Sequence, residues 1–359
     1  MSFLKKKIAF LISKFNHGGG TERVTAEIGN GLENRNYDVS IISCQKGLNP
    51  IFDVDPRIQL YSLHGEEESN SIKRKVKNFD KLKKIVKANR IEVLITVDVE
   101  LYIYAFPLQM MRLCKVIAWE HFNYYKKYNK LEKLSQKLAA RYANQLIVLG
   151  KNDLQNYKAN VKHLANIDYI YNPISIECKK NNLNHKRIIA AGRFEEQKGF
   201  DRLIQVWKII EENNDDWTLS IFGDGSQKKD LLDLIQRLGL KRISIKPYTK
   251  NIQKEYLNSD IYVMSSRFEG FPLVLLEAQS CGLPIVSFDC HEGPSEIVND
   301  GVNGYIIEDF SVKSMAEKIL KLINDPQLLQ RFSNHSSDSL GRFDLTDILD
   351  KWERILNKL

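Results

Sequence analysis

Ser265-Ser266-Arg267-Phe268-Glu269-Gly270-Phe271-Pro272-Leu273-Val274-Leu275-Leu276-Glu277-Ala278 follows the short apolar run Ile261 to Met264 and leads into a segment that stops at Gly282. These residues read as a buried strand, a polar turn and a helix. Proline suits the first helical turn and glycine the C-terminal stop. The helix N-terminus then follows directly on Glu269-Gly270, where the backbone N–H groups near Leu273 and Val274 have no intrahelical partner and can hold an anion such as phosphate. Two carboxylates beside a diphosphate repel it unless they accept hydrogen bonds from hydroxyls, so Glu269 and Glu277 read as ligands of a sugar and a ribose. A single glutamate at a helix start also serves simply as a partner of the helix dipole.

The same strand-then-helix alternation runs outward from this stretch. Strands are expected at Arg187 to Ala191, Trp217 to Phe222, Ile243 to Ile245, Ile261 to Met264 and Ile285 to Phe288, and helices at Asp201 to Glu212, Lys228 to Leu238 and Leu273 to Ser280. Alternation of this kind gives a parallel sheet covered on both faces. Ligands of such sheets bind outside the carboxyl ends of the strands, where the loop Gly192 to Gly199 lies. Arg193 offers a bidentate fork and Lys198 a point charge, a pairing that fits a diphosphate; the alternative is a surface salt bridge with Glu195 or Glu196. Gly223-Asp224-Gly225 reads as a turn with Asp224 as a helix cap and no role in the site. Pro247-Tyr248 follows a short strand.

The first half repeats the pattern. Ile8 to Ser13, Asp38 to Cys44, Ile91 to Val97, Val116 to Trp119 and Gln145 to Leu149 read as strands and Thr21 to Arg35 as a helix, and the linker follows Ile167 to Tyr171. Between the first strand and that helix lies Asn16-His17-Gly18-Gly19-Gly20-Thr21-Glu22. Glycines there let backbone N–H groups approach a phosphate or sugar diphosphate, and equally make a plain tight turn. A G-x-G-x-x-G fingerprint counted from Gly18 has Arg23 in its last position, which weakens a dinucleotide reading, and no P-loop pattern occurs. The expected architecture is α/β, with two Rossmann-like doubly wound domains facing a central cleft: residues 1–172, a linker 173–186, residues 187–340, and a C-terminal helix within 341–359 that packs back on the first domain.

A chain of 359 residues with 43% hydrophobic and 27% charged side chains fits two globular domains and excludes disorder and collagen. Cys44, Cys114, Cys178, Cys281 and Cys290 are odd in number and widely spaced, which argues against a disulfide framework or zinc knuckle and for a reducing cytoplasm. No apolar run reaches the roughly 18 residues needed to span a bilayer. Leu101 to Met111 is short and interrupted by Pro107, and Lys5-Lys6-Lys7 precedes too few apolar residues for a signal peptide. Up to Asn172 there are 28 Lys and Arg against 17 Asp and Glu; beyond it, 25 against 28. Most of the surplus sits in Lys73 to Arg90 and Tyr124 to Tyr142. Both have helical spacing, with apolar stripes Ile72, Val76, Phe79, Leu82, Val86 and Tyr124, Tyr128, Leu131, Leu134, Leu138, Tyr142. Each reads as a helix packed on a sheet with a solvated lysine face, or as a surface attracted to anionic lipid. Nucleic acid is the third possibility, without a supporting motif.

Taken together these residues resemble the retaining glycosyltransferases of family 4, which have the GT-B fold. Glu269 and Glu277 match the family's E-x7-E motif. Gly19, Gly20 and Glu22, the pair Arg193 and Lys198, and Glu269 to Pro272 are similar to its signatures in its order. The resemblance implies that Arg193 and Lys198 neutralise the diphosphate of a nucleotide sugar and that Glu277 holds the ribose. Glu269 with the amides of Gly270, Phe271, Leu273 and Val274 would hold the donor sugar, and Gly19 and Gly20 would close the diphosphate site. His121, after the strand ending at Trp119, is similar to the family's histidine at the sugar, although a lone histidine there is also a common structural residue.

The function expected is retaining, metal-independent transfer of a hexose or N-acetylhexosamine from a UDP-sugar to a glycan acceptor, lipid-linked, in cell-surface polysaccharide biosynthesis. No cofactor is expected beyond the nucleotide sugar, and no D-x-D pair follows a strand to bind a metal. The expected setting is cytoplasmic and peripheral on the inner face of the membrane, with the basic first domain against anionic lipid and no nucleic acid partner. An NAD-linked oxidoreductase on tandem Rossmann domains and a non-catalytic basic nucleic-acid binder are the rival readings.

Overall fold

The computed structural model describes residues 5–16, 18–45, 47–63, 71–176, 178, 181–290 and 293–359, with 71–76 described as backbone. It divides into two units, one of Met1–Pro173 with Leu345–Leu359 and one of Ile174–Asp344. In the first, β1 (Lys7–Ile12), β2 (Asp38–Ser43), β3 (Gln59–Ser62), β4 (Val93–Val97), β5 (Lys115–Trp119), β6 (Gln145–Val148) and β7 (Ile167–Tyr169) alternate with α1 (Gly20–Asn34), α2 (Ser71–Ala88), α3 (Tyr102–Met110), α4 (Lys130–Tyr142) and α5 (Lys151–Asn160). The strands are parallel in the order β3-β2-β1-β4-β5-β6-β7. All five residues of β4 and the last five of β1 are buried, as continuous Val and Ile runs must be when helices cover both faces of a parallel sheet.

The second unit has β8 (Arg187–Ala191), β9 (Thr218–Phe222), β10 (Ile243–Lys246), β11 (Ile261–Met264), β12 (Ile285–Phe288) and β13 (Gly304–Ile307). Its helices are α6 (Phe200–Asn213), α7 (Lys228–Arg237), α8 (Ile252–Leu257), α9 (Leu273–Ser280), α10 (Pro294–Ile297), α11 (Val312–Asn324) and α12 (Pro326–His335). The sheet order is β10-β9-β8-β11-β12-β13, again parallel. Each unit is therefore a doubly wound, Rossmann-like domain. The strand order reverses between β1 and β4 in one and between β8 and β11 in the other. Loops leaving adjacent strands in opposite directions open a crevice at such a switch point, and it is there that open α/β sheets bind ligands.

The last helix, α13 (Leu345–Lys358), lies against α1 in the first unit. Trp352 is fully buried with Phe10 and Trp119, ring centroids 6.4 and 4.9 Å away. The segment read as a linker does not run free after Pro173. Ile174 onward belongs to the second unit, where Asp260 accepts the backbone N–H groups of Asn184, His185 and Lys186.

Several expectations are corrected. Cys178 and Cys281 are joined as a disulfide with Cα atoms 4.8 Å apart, although the spacing in sequence argued for none; the fold brings together residues 103 apart. Asp224 is not a helix cap. Gln227 precedes α7, while Asp224 accepts the N–H of Gly225 and sits 3.7 Å from Lys228. Gly223 serves close approach instead, since a Cβ there would lie 1.9 Å from Gly192 O.

The two basic helices also differ from one another. In α2 Lys77, Lys84 and Lys87 are exposed, Leu82 and Val86 are buried, and the side chains of residues 71–76, Ile72 and Val76 among them, lie outside the described residues. In α4 the expected stripe is not the inner face. The helix begins only at Lys130, after Tyr124 and Tyr128, behind an Asn129–Glu132 capping box. It buries Ser135, Gln136, Ala139 and Ala140 instead of its leucines. Ser135 Oγ donates to Val99 O at 2.6 Å and accepts the Ile103 N–H, and Gln136 donates to the Tyr157 hydroxyl at 3.1 Å. With this face inward the Ile103 N–H, Val99 O and the Tyr157 hydroxyl gain partners from α4, and a buried polar group left without one costs about 1–3 kcal/mol.

Candidate functional site

At the switch point of the second unit the loop after β8 meets the loop after β11. Gly199 has φ +62°, and a Cβ there would stand 2.2 Å from Ser265 O. Glycine is thus required by both the left-handed conformation and the close passage of the two loops. The loops are pinned by Arg267, whose guanidinium binds Asp201 through two bonds of 2.7 and 2.8 Å and also donates to Glu196 O. Ser265 Oγ donates to Lys198 O, and the Arg267 N–H to Gln197 O.

Held in this way, Lys198 Nζ lies 2.7 Å from Glu269 Oε1, and Ser266 Oγ donates to the same oxygen at 2.6 Å. The carboxylate is buried and the ammonium mostly so. Sequence reasoning assigned these two residues to different parts of a ligand; the fold joins them in one pair. An ammonium has three donors, so Lys198 retains capacity for a ligand while paired with Glu269. Arg193, in the same loop, has an exposed side chain and is not brought into this pair.

Helix α9 starts at Leu273 with Pro272 in extended conformation before it and no side-chain cap; the Leu275 N–H donates to Pro272 O at 3.0 Å, and the N–H groups of Leu273 and Val274 have no intrahelical partner. It ends in a Schellman arrangement, with Gly282 at φ +81° and bonds from Gly282 N to Gln279 O and from Leu283 N to Ala278 O. Glu277 is buried and accepts from the Tyr256 hydroxyl at 3.2 Å. The Phe271 ring is buried 5.8 Å from Phe343, so Phe271 can contribute through its backbone alone. Cys290, after β12, is buried beside the pair; burial first, then Glu269 and Asp289, push its thiol well above the ordinary range. Among the described residues, no group of three or more His, Cys, Asp or Glu is arranged to hold a metal ion.

In the first unit Gly19 and Gly20 stand at the start of α1, with no side-chain cap. Next to β1, the ends of β4 and β5 carry Asp98, Glu120 and His121. Glu120 is fully buried and accepts from Tyr157 OH at 2.9 Å, Tyr128 OH at 3.1 Å and the Phe122 N–H at 3.0 Å; burial nevertheless raises its pKa. The His121 ring lies tilted against Trp119 with centroids 4.2 Å apart, burial pushes its pKa down to about 3, and Nε2 is buried with no hydrogen-bond partner among the described residues. It is a neutral imidazole at physiological pH. Asp98 has φ +86°, outside the range a non-glycine residue ordinarily occupies, and burial followed by Glu120 raises its carboxyl well above the usual range.

Asp98, Ser266, Tyr256 and Cys290 were not found from the sequence. Ser266, three residues before Glu269, and Asp98, directly after an apolar run, left a local signal; Tyr256 and Cys290 reach the site only through the fold.

Two doubly wound domains, the second with the Lys198–Glu269 pair and the uncapped start of α9 near its switch point, have the architecture of a ligand-binding α/β protein of the GT-B type. The chain belongs to the GT-B glycosyltransferases of family 4: "Glycosyltransferase Family 4" matches residues 18–177 and "Glycosyl transferases group 1" residues 174–338. It is 32% identical to an uncharacterized glycosyltransferase of Haemophilus influenzae, over 98% of this chain and all of that one. To the amylovoran biosynthesis glycosyltransferase AmsD of Erwinia amylovora it is 30% identical, over 98% and 99%. The crystal structure of S. aureus TarM superposes with a TM-score of 0.86 at 18% identity, covering 98% of this chain and 100% of that one. Membership of this family replaces the oxidoreductase reading with that of a glycosyltransferase. Among the described residues no helix is long and apolar enough to cross a membrane.

Proposed function

We propose that this glycosyltransferase moves a hexose or N-acetylhexosamine from a UDP-sugar to a glycan acceptor, with retention of anomeric configuration and without a metal ion, in cell-surface polysaccharide assembly. The observation that carries the reading is the Lys198–Glu269–Ser266 cluster at the switch point of the second unit. Lys198 and Arg193 take the diphosphate, Glu277 the ribose, and Glu269 with the amides of Gly270, Phe271, Leu273 and Val274 the donor sugar. Gly19 and Gly20 contact the diphosphate, and His121, neutral and with no partner at Nε2 among the described residues, contacts the sugar at the reacting carbon. As the bond from the anomeric carbon to phosphate oxygen breaks, negative charge grows on the departing phosphate. Fixed cations and amides then act more strongly than on the intact donor, by a few kcal/mol per donor group. The acceptor oxygen bonds to the same carbon, and its proton passes to the departing phosphate.

Names of relatives support the donor and the setting. The TarM structure holds UDP, and AmsD is named for amylovoran biosynthesis. A poly(ribitol-phosphate) α-N-acetylglucosaminyltransferase of Staphylococcus aureus matches half of this chain at 30% identity. The basic first half favours a lipid-linked acceptor at an anionic membrane surface, with the enzyme in the cytoplasm and peripheral on the inner face of the membrane.

Incubation with a panel of nucleotide sugars tests this reading. A UDP-sugar should be hydrolysed slowly, without added metal, releasing the sugar in the anomeric form of the donor. Hydrolysis of none of them, or an inverted first product, contradicts it.

A further inference from the structure

We infer that α4 and the end of α3 form a docking face for an anionic phospholipid bilayer. This rests on the glycosyltransferase reading and names the surface through which the enzyme would reach a lipid-linked acceptor. Because Ser135, Gln136, Ala139 and Ala140 take the inner face of α4, its apolar residues are left outside: Leu131 is 39% exposed, Leu134 48% and Tyr142 50%. Leu138 is half-buried between them. These residues step by three, four and four, so they form one continuous strip along the helix.

Each of them is preceded by a cation, Lys130, Lys133, Lys137 and Arg141; the Lys133 ammonium turns to the inner face and donates to Gln136 Oε1 at 2.7 Å, while Lys130, Lys137 and Arg141 are exposed. One residue back on a helix is the adjoining strip, so the outward arc carries an apolar band and a basic band side by side. The single acid of the helix, Glu132, is occupied in the capping box. The apolar band continues onto α3, where the Phe106 ring lies 5.6 Å from Tyr142 and Met110 is 64% exposed at the helix end.

A protein partner would be served by the leucines alone. The bordering row of cations, with no free acid among them, complements an anionic interface into which the apolar band inserts. The face is also tied to the candidate acceptor side of the site. Gln136 donates to Tyr157, Tyr157 to Glu120, and Glu120 immediately precedes His121. A helix resting in the headgroup layer would therefore hold His121 at a fixed depth below the surface from which a lipid-linked hydroxyl emerges.

The test is co-sedimentation of the full chain with vesicles of equal parts phosphatidylglycerol and phosphatidylcholine, against vesicles of phosphatidylcholine alone. The partition coefficient should be at least about tenfold higher on the anionic vesicles and should collapse in about 1 M salt, where charges are screened within about 3 Å. The double variants Leu131→Glu/Leu134→Glu and Lys137→Glu/Arg141→Glu should each lose at least about tenfold. UDP affinity, measured separately by calorimetry, should be unchanged in both. Absence of binding to the anionic vesicles, or binding by both variants at the wild-type level, overturns the inference. So does a wild-type dimer that the leucine variant dissociates, since a second copy would then be the occupant. A protein that fails to bind UDP but still partitions onto anionic vesicles contradicts the donor reading and leaves the docking face standing.

Discussion

Lys198 has a carboxylate at 2.7 Å before any substrate arrives, and that partner determines what its removal should do. If Lys198 binds the diphosphate as proposed, Lys198→Ala removes that cation and also takes from buried Glu269 its ammonium partner. Loss of kcat of about 10²- to 10³-fold is expected from a transition-state donor of this kind. Arg193→Ala, at an exposed site, should lower kcat by a smaller factor. Glu277→Ala should act mainly on the donor KM, raising it about 10- to 100-fold if the residue binds ribose hydroxyls through charge-assisted hydrogen bonds. Unchanged steady-state kinetics in all three variants would remove the assignment. His121 gives a prediction about pH. The unfolded chain protonates this ring below the ordinary value of 6.5, while the folded protein keeps it neutral down to about 3. The unfolded state thus binds the extra proton in that window, and the residue lowers stability as pH falls from 6.5 towards 3, with no effect above it. His121→Gln should lose less thermal midpoint than the wild type between pH 7 and about 4.5. Parallel Tm curves would mean that the ring is solvated.

At the scale of elements, the turns before and after the helices decide the site. Gly199→Ala forces a side chain into a left-handed position with its Cβ against Ser265 O. It should destabilise the second unit by about 1–3 kcal/mol and lower turnover together, because the same turn sets the position of Lys198. Differential scanning calorimetry with a UDP-sugar hydrolysis assay checks both; an unchanged transition would show that the loops have room to part. Sequence alone located β11, its turn and α9 to the residue, because Pro272 and Gly282 are local signals that depend on nothing distant. The facing of α4 could not be read in the same way. Its leucines have good helical spacing, but what turns it is the pairing of Ser135 with Val99 and of Gln136 with Tyr157, contacts 36 and 21 residues away. The Cys178–Cys281 bridge and the Lys198–Glu269 pair escaped for the same reason: each is a product of the sheet order and not of spacing along the chain.

At the scale of the whole molecule, the chain builds one seven-stranded and one six-stranded parallel sheet and then returns its last helix to the first. The tryptophans divide evenly, Trp119 and Trp352 in the first unit and Trp207 and Trp217 in the second. Trp352→Ala should therefore lower the first unit's stability by about 3–5 kcal/mol, the usual cost of emptying a buried aromatic site, while the second unit's transition stays in place. Two calorimetric transitions of which one alone shifts would establish this; a common shift would mean that the units unfold together.

The central claim is that the loops after β8 and β11, with the start of α9, hold the nucleotide sugar. A crystal structure of the protein with UDP tests it most directly. The account predicts the diphosphate within hydrogen-bond distance of Lys198 and Arg193 and the ribose hydroxyls on Glu277. A nucleotide bound away from these residues, with the Lys198–Glu269 pair untouched, would contradict it.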